Sequence, residues 1–426
     1  MLTAARNLLR RLLPHGSGVV GRWLLVSGLG AYAFLALVGR VIGPDRYGAM
    51  SVLWSVGFVA TSCLFPVEQE VTRAISDRTA RGVGSAPVAR KAAVVALAIA
   101  AVLIVVALAA SVPLVDRLFD GQVLLLVGLV LLIASYVSEH VTRGVLAGRR
   151  RFGAFGRLLG VEALARVAGA IVLALIGVRT AGPYGIVLGL SALVGVAAGL
   201  FGQRDLLQPG PPARYSELSR AIGWLVTSSL LSQVLINGGP VVVQVLAGRE
   251  QRALAGQYLA GLVVARVPVF FFLAIQASLV PELASFAAEG DRARVQAGLR
   301  KLVQLIAVLG LTVTVAIWLL GPTVVHIAFG KGFALSRSEL ALLAAGSAAY
   351  LLALTLAQGL IALARPARSA LGFGVGALVF GAMVVAGPSD VVLRLALATL
   401  LGSIAASTAL GVLLVNPVRS VSAQKA

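Results

Sequence analysis

Charge is scarce in this chain. Of its 426 residues, 12% are Asp, Glu, Lys or Arg, while 59% are hydrophobic. A soluble domain carries about 25% charged and roughly 45–50% apolar residues. Scarce charge and long uncharged runs together exclude a soluble fold and place the chain in a membrane. Cysteine is nearly absent: Cys63 stands alone. No disulfide framework or Cys-based metal site can form within one chain, and in an apolar span this thiol reads as buried and inert. Histidine is confined to His15, His140 and His326, too dispersed for a metal cluster. No Walker motif or other lysine-bearing glycine loop appears, so the chain does not power itself with ATP. No cofactor and no metal are expected.

What fills the chain is apolar sequence. Crossing the hydrocarbon core takes about 20 apolar residues. Twelve such spans can be drawn, at 18–40, 48–68, 91–114, 122–143, 157–178, 183–202, 221–247, 257–281, 299–320, 339–363, 367–387 and 390–415. Runs of this length without polar alternation are helices, not strands of an outer-membrane barrel. The expected fold class is an all-α polytopic membrane protein with about twelve transmembrane helices.

The connections alternate in charge. Of 36 Lys and Arg, 25 fall at the tails and connections of one side, 9 on the other, and two inside spans. The basic side is cytoplasmic, with both termini there, as expected for a cell-membrane (inner or plasma membrane) protein. Topology thereby absorbs most of the formal +20, and no nucleic-acid partner is expected. The start, 1–17, has Arg6, Arg10 and Arg11 among leucines and no acid. It reads as a retained interfacial amphipathic segment. Outward loops are short, the longest at 321–338. Their acids are few (Asp45, Asp116, Asp120, Glu250, Glu339 and Asp390), and no nucleophile–base pair can be assembled there. An enzyme is not expected.

The hydrophilic connection 203–220, with its turn-prone Pro209-Gly210-Pro211-Pro212, separates six spans from six. A shift of 215 residues aligns Pro66 with Pro281, and Gly144, Ala147 and Arg150 with Gly359, Ala362 and Arg365. This suggests a lobe at 18–202, a linker at 203–220, a second lobe at 221–415 and a tail at 416–426. Six is even, so the lobes run parallel, with the substrate site between them near the midplane. A monomer is expected.

Two arginines are not explained by topology. A guanidinium at a span centre costs about 2.5–3.5 kcal/mol and should meet an anion. Arg166 has Glu162 one turn earlier, at the spacing of a self-neutralised pair. Structural and substrate-binding readings are both open for it. Arg266 has no acid within a turn, and Pro268 follows it. At the inner end of span two lie Glu68, Glu70 and Arg73. They read either as interfacial charges or as a gate or proton site at a cavity mouth. Span seven breaks at Asn237-Gly238-Gly239-Pro240, where Asn237 can bond carbonyls freed by Pro240. Gln233 and Gln244 suggest that this helix lines a cavity.

Four passages carry a family resemblance: Gly39-Arg40-Val41-Ile42-Gly43-Pro44-Asp45-Arg46-Tyr47-Gly48; Arg143-Gly144-Val145-Leu146-Ala147-Gly148-Arg149-Arg150-Arg151-Phe152; Phe329-Gly330-Lys331-Gly332-Phe333; and Gln358-Gly359-Leu360-Ile361-Ala362-Leu363-Ala364-Arg365. They look like the first outer turn, the turn after span four, the hairpin before span ten and the end of span ten. With them, the chain resembles the polysaccharide-biosynthesis, O-antigen flippase-type branch of the multidrug/oligosaccharidyl-lipid/polysaccharide (MOP) exporter superfamily. The resemblance implies a two-lobed, MATE-like fold with a central cavity and alternating access. It implies a polyprenyl-pyrophosphate-linked saccharide as cargo, moved to the outer leaflet. Its implied partners are that lipid, the surrounding membrane lipids and other polysaccharide-biosynthesis proteins. The family's cavity cations lie mainly on spans one, two, seven and eight, where Arg22, Arg73 and Arg266 match. Two other readings stay open: export of small cationic or amphiphilic molecules, and a membrane glycosyltransferase or polymerase of lipid-linked sugars.

Overall fold

A computed structural model describes residues 17–215, 218, 222–247, 251, 253–266 and 292–415. The N-terminal segment 1–16, the later part of span eight with Pro268 and Pro281, and the tail 416–426 lie outside the described residues. Every regular element among the described residues is helical. The first half holds α1 (Ser17–Ile42), α2 (Pro44–Thr61), α3 (Phe65–Ala80), α4 (Ala86–Ala109), α5 (Val123–Gly148), α6 (Phe152–Leu175) and α7 (Ala181–Leu200). The second holds α8 (Ile222–Asn237), α9 (Gly239–Leu246), α10 (Ala253–Arg266), α11 (Arg292–Phe329), α12 (Arg337–Ala362), α13 (Pro366–Ala386) and α14 (Val391–Val415). Ten stretches are long and apolar enough to cross a membrane, and the bent pair α8–α9 makes eleven. The expected twelfth, 257–281, is described only as far as Arg266.

The packing order repeats. In the first half α5 packs on α7, α6 on α7, α1 on α6 and α4 on α5. In the second, α12 packs on α14, α13 on α14, α8 on α13 and α11 on α12. These are the same spans, six places further along the chain. The turns after α5 and α12 also match: Arg150 and Ala364 have φ of 57° and 56°, with equivalent backbone hydrogen bonds around them. That is one residue off the 215-residue register of the sequence echoes.

Small residues set the helix spacing, as expected where lipid removes the hydrophobic drive between helices. A Cβ on Gly128 of α5 would lie 2.8 Å from the Gly185 backbone of α7, and one on Gly376 would lie 2.7 Å from the Gly402 carbonyl. Large apolar side chains such as Leu97, Val102, Leu378 and Val385 point outward, as a lipid-facing surface requires.

Several boundaries differ from the sequence expectation. Span two does not stop near residue 68. It kinks through a 3-10 turn at Ser62–Leu64 and continues to Ala80. This extension stays helical because Val71 and Ile75 bury against Gly144 and Gly148 of α5. For the same reason, Arg143 to Gly148 is helix rather than turn. The outward loop 321–338 is mostly absent: α11 runs through Pro322 to Phe329, and a capping box between Ser336 and Glu339 starts α12. The two halves meet at this end, where the Tyr47 ring lies 6.0 Å from Phe329 and 5.6 Å from Phe333.

The connection between the halves is pinned to the first one. The Ala86 N–H donates to the Gln208 carbonyl at 3.0 Å, and Arg78 donates to the Pro211 carbonyl at 3.1 Å. Lys91 sits 4.1 Å above the Tyr215 ring. A Cβ on Gly84 would lie 1.8 Å from the Pro209 carbonyl oxygen. Gly84→Ala should therefore dislodge this strap and speed trypsin cleavage at its exposed Arg204 and Arg214 in membrane vesicles. An unchanged digestion pattern would contradict the docking.

Candidate functional site

The site begins with two prolines. Pro240 has no N–H, so the carbonyl four residues back, on Ile236, loses its helical donor. The chain bends by 52° there, between α8 and α9. Arg266 of α10 fills the gap. Its Nη2 donates to the Ile236 carbonyl, and its Nη1 donates to Asn237 Oδ1 at 2.7 Å. Asn237 donates from Nδ2 to Gln233 Oε1. The sequence assigned the freed carbonyl to Asn237; instead the longer guanidinium takes it, and Asn237 bridges Arg266 to Gln233. Pro66 repeats the pattern on α3. The Ser62 carbonyl, four residues back, accepts from the Phe65 N–H in the 3-10 turn and from Ser229 Oγ of α8 at 2.9 Å, so the opposite half adds a donor to this break.

The partners of Arg266 are neutral. No carboxylate lies within ion-pairing distance of it among the described residues. Its Nε is buried without a hydrogen bond. The phenols of Tyr32, Tyr258 and Tyr350 lie within electrostatic range. The C-terminal end of α8 adds a partial negative charge, but a full positive charge is not balanced by it. Gly239 makes room for this arrangement: a Cβ there would lie 2.4 Å from the Tyr258 ring.

One helical turn below lies a cavity of about 190 Å³, on the side of the basic connections. Spans two, seven, ten and eleven line it. Its polar groups are Gln69, Ser228, Ser229, Ser232, Gln233, Tyr350 and Gln358, with Phe65 and Phe373 among the apolar ones. Among the described residues, no charged side chain lines it. The Ser228 and Ser369 hydroxyls pair at 2.7 Å behind the wall. Gln69 and Gln358 make no hydrogen bond within the described residues.

The remaining buried charges gather inside the first half. Glu68 Oε2 lies 2.6 Å from His140 Nδ1, and Glu68 Oε1 lies 3.2 Å from Arg143. Arg143 also pairs with Glu139 at 3.1 Å. Glu162 and Arg166, 3% and 2% exposed, pair with each other, and Arg166 Nε reaches Ser191 Oγ of α7 at 3.4 Å. Glu139 Oε2 and His140 Nε2 are buried without a hydrogen-bond partner. Three carboxylates face two guanidiniums and one imidazole, so a single proton on His140 or on a carboxyl neutralises the group.

The structure therefore brings Arg266, Gln233, Asn237 and Pro240 together at the break. Glu68, Glu162 and Arg166 turn away from the cavity into the first half. Glu70 pairs with Arg73 at 2.8 Å on the helical extension of span two, with the Arg73 side chain half-exposed. Gln244 does not line the cavity; its Nε2 reaches Asp120, in the connection before α5, at 3.5 Å, because the 52° bend carries α9 away. Arg22 lies on α1, with its side chain outside the described residues. Sequence reasoning missed Gln69, Ser228, Ser229, Ser232, Tyr350 and Gln358. A usable signal was present: Ser228, Ser229, Ser232 and Gln233 crowd polar groups into an otherwise apolar span.

No family model matches the chain. An uncharacterized protein of Mycobacterium tuberculosis is 27% identical over 402 residues, spanning 90% of this chain and 88% of its own length. A second from that organism is 26% identical over 388 residues, spanning 87% and 85%. Among solved structures, an inward-facing multidrug resistance MATE family transporter of the MOP superfamily superposes with a TM-score of 0.66 at 15% identity, covering 92% of this chain and 96% of that one. A MOP superfamily transporter from Pyrococcus furiosus, described as having a binding pocket of reverse polarity that suggests a different function, superposes at 0.63 with 14% identity, covering 94% and 95%. The chain thus has the all-helical fold of the MATE and MOP-superfamily membrane transporters.

Proposed function

We propose that this chain flips a polyprenyl-pyrophosphate-linked saccharide from the cytoplasmic to the outer leaflet of the cell membrane, by alternating access, for cell-surface polysaccharide synthesis. One observation carries the reading: among the described residues, Arg266 is a cation without a carboxylate, at a helix break, one turn from a cavity with a polar and uncharged described lining. A pyrophosphate supplies the missing counter-charge, and guanidinium offers it charge-assisted, forked hydrogen bonds. The membrane supplies the tail's environment, so no bond is made or broken and no catalytic group is needed. In this reading both termini are cytoplasmic, the protein works as a monomer, and its lipid comes from other polysaccharide-biosynthesis proteins.

The fold is shared with multidrug transporters, which keeps export of small cationic or amphiphilic molecules as the second reading. The charge of the site disfavours it. A cation in this cavity would meet Arg266 and, among the described residues, no lining carboxylate.

The test is reconstitution. Purified protein in liposomes should move a polyprenyl-pyrophosphate N-acetylglucosamine from one leaflet to the other, read by its loss of access to an external sugar-modifying enzyme. A small lipophilic cation serves as the competitor cargo. Movement of the cation without movement of the lipid-linked sugar would overturn the reading.

A further inference from the structure

We infer that the first sugar of the cargo, the ring joined to the pyrophosphate, is uncharged, and that the cavity below Arg266 selects against acidic sugars. The inference rests on the reading of Arg266 as the pyrophosphate site. Asn237 bonds both Arg266 and Gln233, and Gln233 lines the cavity. Four residues of helix rise about 6 Å. A phosphate held at Arg266 therefore places its first sugar one turn away, within the cavity.

The lining suits hydroxyls and not carboxylates. Each sugar hydroxyl both donates and accepts, and so does each glutamine amide. Gln69 and Gln358 are uncommitted within the described residues, and they stand on opposite halves, on spans two and ten. The hydroxyls of Ser229 and Ser232 spend their protons on the Ser62 and Ser229 carbonyls, and so remain as acceptors. The volume of about 190 Å³ is below the roughly 300 Å³ where pockets for drug-sized ligands begin. It holds one ring, not a chain of them.

The charges nearby are already used or turned away. Glu68, next to Gln69, points to His140 and Arg143 on α5. Glu70 and Arg73 pair with each other. A sugar carboxylate in the cavity would meet no cation among the described residues of its walls, and a desolvated, unpaired charge is strongly disfavoured. Arg266, one turn from Gln233 through Asn237, is occupied by the pyrophosphate in this reading.

The experiment compares two ligands on the full chain. Native mass spectrometry would measure binding of polyprenyl-pyrophosphate N-acetylglucosamine and of the same lipid bearing the corresponding C6 uronic acid. The uronate is expected to bind at least tenfold more weakly. Gln358→Arg should shrink that ratio, and Gln69→Arg, on the exposed side of the wall, gives a second chance to see it. Equal binding of both sugars to the unaltered protein overturns the inference while leaving the pyrophosphate reading standing. Binding of neither, or binding of both undiminished by Arg266→Ala, overturns the two together.

Discussion

Arg266→Ala should abolish binding of the lipid-linked sugar while leaving the fold intact. Truncating one member of a desolvated, hydrogen-bonded charge pair costs about 2–5 kcal/mol, or roughly 30-fold to a few-thousand-fold in affinity. The stability terms nearly cancel. Loss of the guanidinium leaves the Ile236 carbonyl without its donor, which costs about 1–3 kcal/mol. It also removes an unbalanced charge from the span, which returns about 2.5–3.5 kcal/mol. Binding should collapse with little change in melting temperature. Arg266→Lys keeps the charge without the planar fork and should fall in between. The opposite pattern, a lower melting temperature with unchanged binding, would reduce Arg266 to a brace for the broken helix.

Arg166→Ala should behave in the reverse way. It strands the Glu162 carboxylate inside the first half, at a position 3% exposed. Breaking a buried ion pair by removing one partner costs about 3–5 kcal/mol, whereas replacing both partners with apolar groups of similar size is often neutral or stabilising. The double variant Glu162→Met, Arg166→Met should therefore recover most of the lost stability, less about 1 kcal/mol for the hydrogen bond to Ser191. Thermal unfolding of the purified protein in detergent reads both variants. If the double variant were as unstable as the single one, the pair would not be the unit that matters. If lipid-linked sugar binding were lost in the double variant at normal stability, Arg166 would belong to the cargo site after all.

These two arginines show how far sequence could separate roles. The spacing of Glu162 and Arg166 announced a pair on one helix, because four residues bring side chains onto one face. Nothing along the chain announced that Glu68 would meet His140 and Arg143, 72 and 75 positions away, across two packed helices. In three dimensions, Glu139-His140-Val141-Thr142-Arg143 is the other side of the same charged cluster. The break in span seven was legible because proline's missing N–H is a local fact. The group that repairs it was not, since Arg266 arrives from another helix. The cavity's serines, with Gln69 and Gln358, were passed over because neutral polar residues cost little in a span and draw no notice singly.

By itself, then, the sequence determined the helical membrane class, the number and order of spans to within the undescribed part of span eight, and the side on which basic residues crowd. These follow from the free energy of moving each stretch from water to lipid, which is nearly additive along the chain. Only the tertiary structure decided which charges neutralise one another, where α3 and α11 end, and which polar groups share a cavity. Those outcomes depend on distances of a few ångströms between residues far apart in the chain, and a charge's meaning changes entirely with the partner it finds.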